Sequence, residues 1–256
     1  MPTLPSALFH YTSINNLALI LQSKSIRFGR LDKVNDPTEG HSSDFHSMAP
    51  YIFITSWTAN EAEDLALWNM YTPLMHGVRI ELPLPLFPNY TITHDTGEKV
   101  TSKSLVSQTD YIDYSKGYLI VGAENTLNEI IYTDDLNLLQ PSIRRVGGLH
   151  MKSLSSHKRL MWKIEKEYRY QLNIIPFEPN ITPLEVANSS SRLIAKQHLL
   201  PFEGYIVKIR KKAFEEMKIR LSPKLDDGER AIIRALVKCY NPKAVIEDST
   251  ITGLIR

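Results

Sequence analysis

The chain has 256 residues, 43% of them hydrophobic, enough length and apolar content to bury a sizeable core. Its 30 basic and 28 acidic side chains leave a formal charge of +2, which argues against a protein whose main work is gripping phosphate backbones, although a local patch stays open. The single cysteine rules out an intrachain disulfide and no run approaches the roughly 18 uninterrupted apolar residues of a membrane span, so a soluble protein of the reducing cytoplasm with no membrane partner is expected.

Phe9 to Tyr11 reads as a short strand, and Thr12 or Ser13 caps a helix with Ile14, Leu17, Ala18 and Leu21 at three- and four-residue steps. Ile26 to Phe28 is a second short strand. In Asn35-Asp36-Pro37-Thr38-Glu39-Gly40, Pro37 forces Asp36 out of helical geometry and Asn and Asp can cap neighbouring amides, which predicts an ordered turn. Ile52 to Trp57 has the composition of a strand buried on both faces, Asn60 opens a helix through Leu65, Trp68 and Tyr71 that ends before Pro73, and Val78 to Leu82 returns as a strand. Pro83 to Gly117 shows no helical period and reads as irregular strands and loops ending in a strand from Asp110 to Tyr114. Helices are expected from about Glu124 to Leu138 and from about Leu149 to Trp162. Strands Glu165 to Leu172 and Tyr205 to Ile209, a helix Glu229 to Tyr240 that buries Cys239, and a strand Ala244 to Ile246 complete the chain. With no flexible linker, no repeat, no regular strand–helix alternation and no Gly-rich phosphate loop, the pattern predicts one α+β domain over residues 1–256, of mixed strands with flanking helices. The basic run Lys208, Arg210, Lys211 and Lys212 reads as the solvated start of a helix after a strand.

Polar residues interrupt three of the apolar strands, at His10, at Ser56 and at Glu165 with Glu167. Each costs about 1–3 kcal/mol if buried without a partner, so together they form either a satisfied network or a site. Glu165 and Glu167, two apart on a strand, project from one face and can shift each other's pKa; Arg169 continues that face as a partner for Glu167. Trp57, Trp68 and Tyr71 read as packing. No metal is expected: there is no His-Glu-x-x-His and no Cys/His cluster, and His41 and His46 are spaced for neither helix nor strand partnership.

In chain order, Phe9-His10-Tyr11-Thr12 before a helix, Asn35-Asp36-Pro37-x-Glu39, Thr55-Ser56-Trp57, Leu67-Trp68-x-x-Tyr71 before Gly77-Val78-x-Ile80, and Trp162-x-x-Glu165-x-Glu167-Tyr168-Arg169 resemble the bacterial family catalogued as domain of unknown function 2971. That family supplies no activity. A fainter likeness does: the start is similar to the opening of NAD-consuming ADP-ribosyltransferases, whose second motif is Ser- or Tyr-centred and whose later strand carries Glu-x-Glu. The resemblance implies a split sheet, NAD as substrate, and a bacterial effector of toxin or antiviral-defence type. By position it implies that His10, with Tyr11 and Thr12, binds NAD, that Ser56, with Trp57, holds the ribose, that Glu167 is catalytic and that Glu165 orients an unspecified acceptor. Asn35, Asp36, Glu39 and Arg169 join them as expected rim and binding residues, since loops so placed carry function. Two rivals stand beside it: a metal-dependent hydrolase or nuclease built on Asp36, Glu39, Glu165 and Glu167, and a non-catalytic ligand sensor in which His10, Ser56, Glu165 and Arg169 close a structural network.

Overall fold

The computed structural model describes residues 4–45, 47–95, 99–145 and 148–254; His46 and residues 96–98 of the Pro83 to Gly117 stretch lie outside the described residues. β1 (Ala7–Thr12) runs into α1 (Ile14–Ser23), where Ser13 Oγ accepts the Asn16 amide at 3.1 Å and Leu17, Ile20 and Leu21 turn inward. Lys24, in the left-handed region at φ 54°, ends the helix and turns the chain into β2 (Ser25–Arg30). β3 (Ile52–Thr58), α2 (Leu65–Tyr71) and β4 (Val78–Pro83) follow. α2 starts later than expected: Asp64, not Asn60, caps it by accepting the Ala66 amide at 2.8 Å.

β5 (Tyr90–Asp95) and β6 (Lys99–Ser104) pair as a hairpin, and a 3-10 turn, Gln108–Asp110, with the two-residue β7 (Ile112–Asp113) stands where a strand from Asp110 to Tyr114 was expected. After β8 (Tyr118–Gly122), neither expected long helix forms. Glu124 to Leu138 holds β9 (Asn128–Glu129), β10 (Ile131–Tyr132) and the single turn α3 (Leu136–Leu139). β11 (Arg144–Arg145) and β12 (Gly148–Leu149) precede a 3-10 turn (Met151–Ser155), β13 (His157–Lys158) and a second 3-10 turn (Leu160–Glu165). Helices are expected over both stretches, but the run Ile130-Ile131-Tyr132-Thr133 favours extended backbone, and its Ile131-Tyr132 pairs in parallel with His157-Lys158.

β14 (Glu167–Pro176) begins two residues after the expected Glu165, because Lys166 is left-handed at φ 46°. α4 (Val186–Ala195), β15 (Gly204–Lys208), α5 (Lys211–Glu215), β16 (Lys218–Leu221), α6 (Asp227–Tyr240) and β17 (Val245–Glu247) complete the order. A capping box between Asp226 and Glu229 starts α6, whose Ile233 and Val237 face the core. Cys239, expected to be buried, lies on the outer side of that helix and is exposed.

The large sheet is mixed, in the order β17-β16-β4-β1-β3-β14-β8-β7, with helices packed against it, so the fold is α+β. One edge of β3 is shared. β2 pairs with its start, Gly29 opposite Ile54, and β1 meets only its end, Phe9 opposite Thr58. Between these joints Thr55, Ser56 and Trp57 have no ladder partner on that edge among the described residues, and the sheet opens into a notch. The other edge of β3 is fully laddered to β14, from Glu167 opposite Thr58 to Asn173 opposite Ile52. A continuous core from Leu8, Leu21, Phe53 and Leu172 to Ile233 makes this frame rigid. No described helix is long and apolar enough to cross a membrane.

The Asn35–Gly40 turn is pinned at its last residue. Gly40 has φ +78°, and a Cβ there would lie 2.5 Å from Ala49 Cβ and 2.8 Å from Ala49 Cα. Gly40→Ala should therefore destabilise by about 1–3 kcal/mol, read as a lowered melting temperature. An unshifted melt would mean that the Ala49 backbone yields.

Candidate functional site

The notch in the sheet is the floor of a cleft of about 70 Å³, walled by the ends of β1 and β3, by Leu67 and Tyr71 of α2, and by Glu165 and Glu167. Registry explains the grouping. Phe9, Thr58 and Glu167 lie in one row across three antiparallel strands, and Ser56 sits directly opposite Arg169, so these side chains emerge on one face. Glu165 arrives differently from the expected strand pleat: it ends the 3-10 turn, and the left-handed Lys166 swings its carboxylate back toward that of Glu167.

His10 fills the open edge of β3. Its Nδ1 lies 2.9 Å from the Ser56 carbonyl, and its ring packs on Trp57 at 5.1 Å. Burial pushes its pKa below the ordinary value, opposed by the hydrogen bond to Ser56, so the imidazole is neutral at pH 7. A carbonyl only accepts, which puts the proton on Nδ1 and leaves Nε2 a bare acceptor. Trp57 Nε1, also buried, donates to nothing within the described residues. Among the described residues His10 Nε2 is thus a free acceptor at the cleft beside two carboxylates.

Those carboxylates belong to a buried ion cluster. Arg169, 1% exposed, uses every N–H: Nε and Nη2 donate to the two Glu167 oxygens at 2.6 and 2.8 Å, Nη2 and Nη1 also donate to Glu39, and Nη1 reaches the Ser155 carbonyl at 3.3 Å. Lys158 is the second cation. Its Nζ lies 2.5 Å from Glu165, 3.4 Å from Glu167 and 3.6 Å from Glu39. An ammonium therefore occupies the place a divalent cation would take among these three carboxylates, and the hydrolase reading built on them loses its metal seat to a side chain.

Three carboxylates facing two cations leave one excess negative charge, and it is not shared evenly. Burial works against ionised Glu167, but Arg169 and Lys158 outweigh it, with the Ser56 hydroxyl adding to them, and hold its pKa down to about 2. For Glu165, burial and the neighbouring Glu167 charge prevail over Lys158 and push the pKa above the ordinary carboxylate value. Tyr71, kept protonated by burial and by the Glu165 charge, donates its hydroxyl to Glu165. The result is one carboxylate fixed as an anion beside another that takes a proton readily, a division of labour suited to acid–base work.

Linkage gives this arrangement a pH signature. The folded pKa of Glu167, about 2, lies below the ordinary 4.5 of a free glutamate, so its contribution to stability is complete above 4.5 and is lost as pH falls toward 2. Denaturant titrations through that window should show a fall that Glu167→Gln flattens; an identical acid limb in both proteins would mean that Glu167 is not held ionised.

The remaining expected residues divide. Tyr11 lines the cleft while its hydroxyl accepts the Asp64 amide at 3.1 Å. Thr12 does not; it is buried and accepts from Asn16 Nδ2 at 3.1 Å. Of the turn expected at the rim, only Glu39 reaches the cluster. Asn35 is exposed, and Asp36 is buried, accepting from the Thr38 amide at 2.9 Å, with Oδ2 unpartnered among the described residues. Lys158 and Tyr132, whose hydroxyl accepts the Glu167 amide at 2.8 Å, were missed. The signal for Lys158 was arithmetic: with Glu39, Glu165 and Glu167 all placed inside, Arg169 alone could not balance them.

Comparison with protein-family models, curated proteins and solved structures returns no match for this chain.

Proposed function

We propose that the notch receives the nicotinamide–ribose end of NAD and that the protein cleaves the bond between them, releasing nicotinamide and passing the ribosyl group to water or to an acceptor. The observation that carries this reading is the pair of unlike carboxylates on one wall of the notch, Glu167 clamped bidentately by Arg169 and Glu165 beside it, lining one cleft with the neutral His10. As the C–N bond breaks, its electron pair leaves with nicotinamide and positive charge builds on the ribose. A fixed anion at Glu167 stabilises that charge more in the transition state than in the ground state. Glu165, with its raised pKa, accepts the proton from the attacking hydroxyl. His10 Nε2 takes a ribose or amide donor.

The cleft of about 70 Å³ holds one ring-sized group, well short of the roughly 300–1,000 Å³ of pockets that enclose whole ligands, so the adenosine end lies outside it along the rim. The chain belongs, on this reading, with the domain of unknown function 2971 family and acts in the cytosol. Purified protein incubated with NAD should release nicotinamide, and His10→Ala should raise the KM. A protein that neither binds NAD nor releases nicotinamide would reject the proposal in favour of the sensor reading, which the complete pairing of Arg169 favours.

A further inference from the structure

A second concave site lies at the far end of α1, whose ten residues separate it from the cleft strand β1 by about 15 Å. It is a groove of about 510 Å³ between the end of α1, the β15–α5 junction and the end of α6, within the size range of ligand pockets. Lys24, Lys208, Lys211 and Lys243 line it against a single Glu215, which pairs with Lys243 at 3.1 Å. That is a local excess of three positive charges, more than the +2 of the whole chain. Lys24, the C-cap of α1, stands where an ammonium group complements the helix dipole, and Lys243 has Glu215 as its ion-pair partner. Lys211 stands in the first turn of α5, where the dipole disfavours it, and neither its ammonium group nor that of Lys208 has a hydrogen-bond or ion-pair partner among the described residues. Fold stability therefore does not account for these two charges. The walls are tied together, since the Ile209 amide donates to the Lys24 carbonyl at 2.9 Å and Asn241 Nδ2 donates to the Phe214 carbonyl at 2.6 Å. Tyr240, 37% exposed, presents a ring at the rim.

We propose that this groove binds a phosphate ester carrying a base, its phosphates on Lys208, Lys211 and Lys24 and its base on Tyr240. A free nucleotide and a single-stranded nucleic acid share that chemistry. Fluorescence anisotropy with labelled ATP and labelled oligothymidylate, with pyrophosphate as competitor, separates the two sources. The expected result is saturable binding of at least one probe at moderate salt, weakened about tenfold or more by Lys208→Glu with Lys211→Glu and given a shallower salt dependence. Tyr240→Ala should weaken the base-bearing probes and leave competition by pyrophosphate unchanged. A control pair on exposed lysines elsewhere, Lys196→Glu with Lys224→Glu, should change little. Should the reversal pair melt early, Lys208→Ala with Lys211→Ala carries the same reading. Absence of saturable binding, or equal weakening by the control pair, overturns the proposal.

Discussion

Arg169→Met should cost about 3–5 kcal/mol, the range for removing one partner of a buried ion pair, and lower the melting temperature by about 10 °C. Methionine fills much of the space, so the loss is electrostatic. Glu167 and Glu39 keep their burial but lose the guanidinium that five hydrogen bonds tie to them and to Ser155. The pH dependence identifies the cause. In the wild type, Arg169 is the main force holding the Glu167 pKa down against burial. Without it that pKa rises, a raised carboxylate pKa favours the folded state as pH falls, and the deficit of the variant should shrink on acidification from pH 7. A deficit that stays constant with pH would point to lost packing, and a melt near the wild-type value would mean that the cluster is not closed around Arg169.

The same cluster shows how far the sequence could be read. β1, α1, β3, β4 and α6 were legible from local signals, such as the apolar composition of β3 and the apolar steps and cap of α1, and these agree with the tertiary outcome. Residues 124–162 were not, because their apolar spacing fits a helix while their pairing is decided by distant partners, such as β9 on β14. The site follows the same division. His10, Ser56, Glu165 and Glu167 stood out as polar residues beside apolar ones, and the shared edge of β3 brings them to one cleft. Lys158 lay in a segment misread as helix, Asp36 and Thr12 have side-chain chemistry suited to binding but use it on Thr38 and Asn16, and Asn35 is exposed. Charge balance could have found Lys158; Asp36, whose short side chain suits capping a neighbouring amide, does so on Thr38, while the longer Glu39 reaches Arg169.

The two glutamates of the cleft should separate under the conservative change to glutamine. Glu167→Gln removes the anion that faces the developing ribosyl cation, so nicotinamide release should fall by about 10²–10⁴-fold in kcat with little change in KM. Glu165→Gln should leave release of nicotinamide to water largely intact and abolish transfer to an acceptor hydroxyl, since glutamine cannot take the proton. Stability should run in the same order for an independent reason. Glu165 bears the excess negative charge of the cluster, with a raised pKa that penalises its ionised form at neutral pH, so neutralising it offsets the lost Lys158 contact and the melt should shift little. Glu167→Gln removes an anion held at about 2 by both cations and leaves Arg169 with Glu39 as its one acidic partner, so it should melt lower. Turnover and melting, measured on the same preparations, then distinguish catalysis from architecture. If release in Glu167→Gln declines only as far as the folded fraction does, Glu167 is a structural partner of Arg169 and the carboxylate pair has no catalytic role. A fall in kcat while the protein remains folded assigns the cation-stabilising charge to Glu167, and a folded Glu165→Gln that still hydrolyses NAD but no longer transfers the ribosyl group to an acceptor assigns the proton transfer to Glu165.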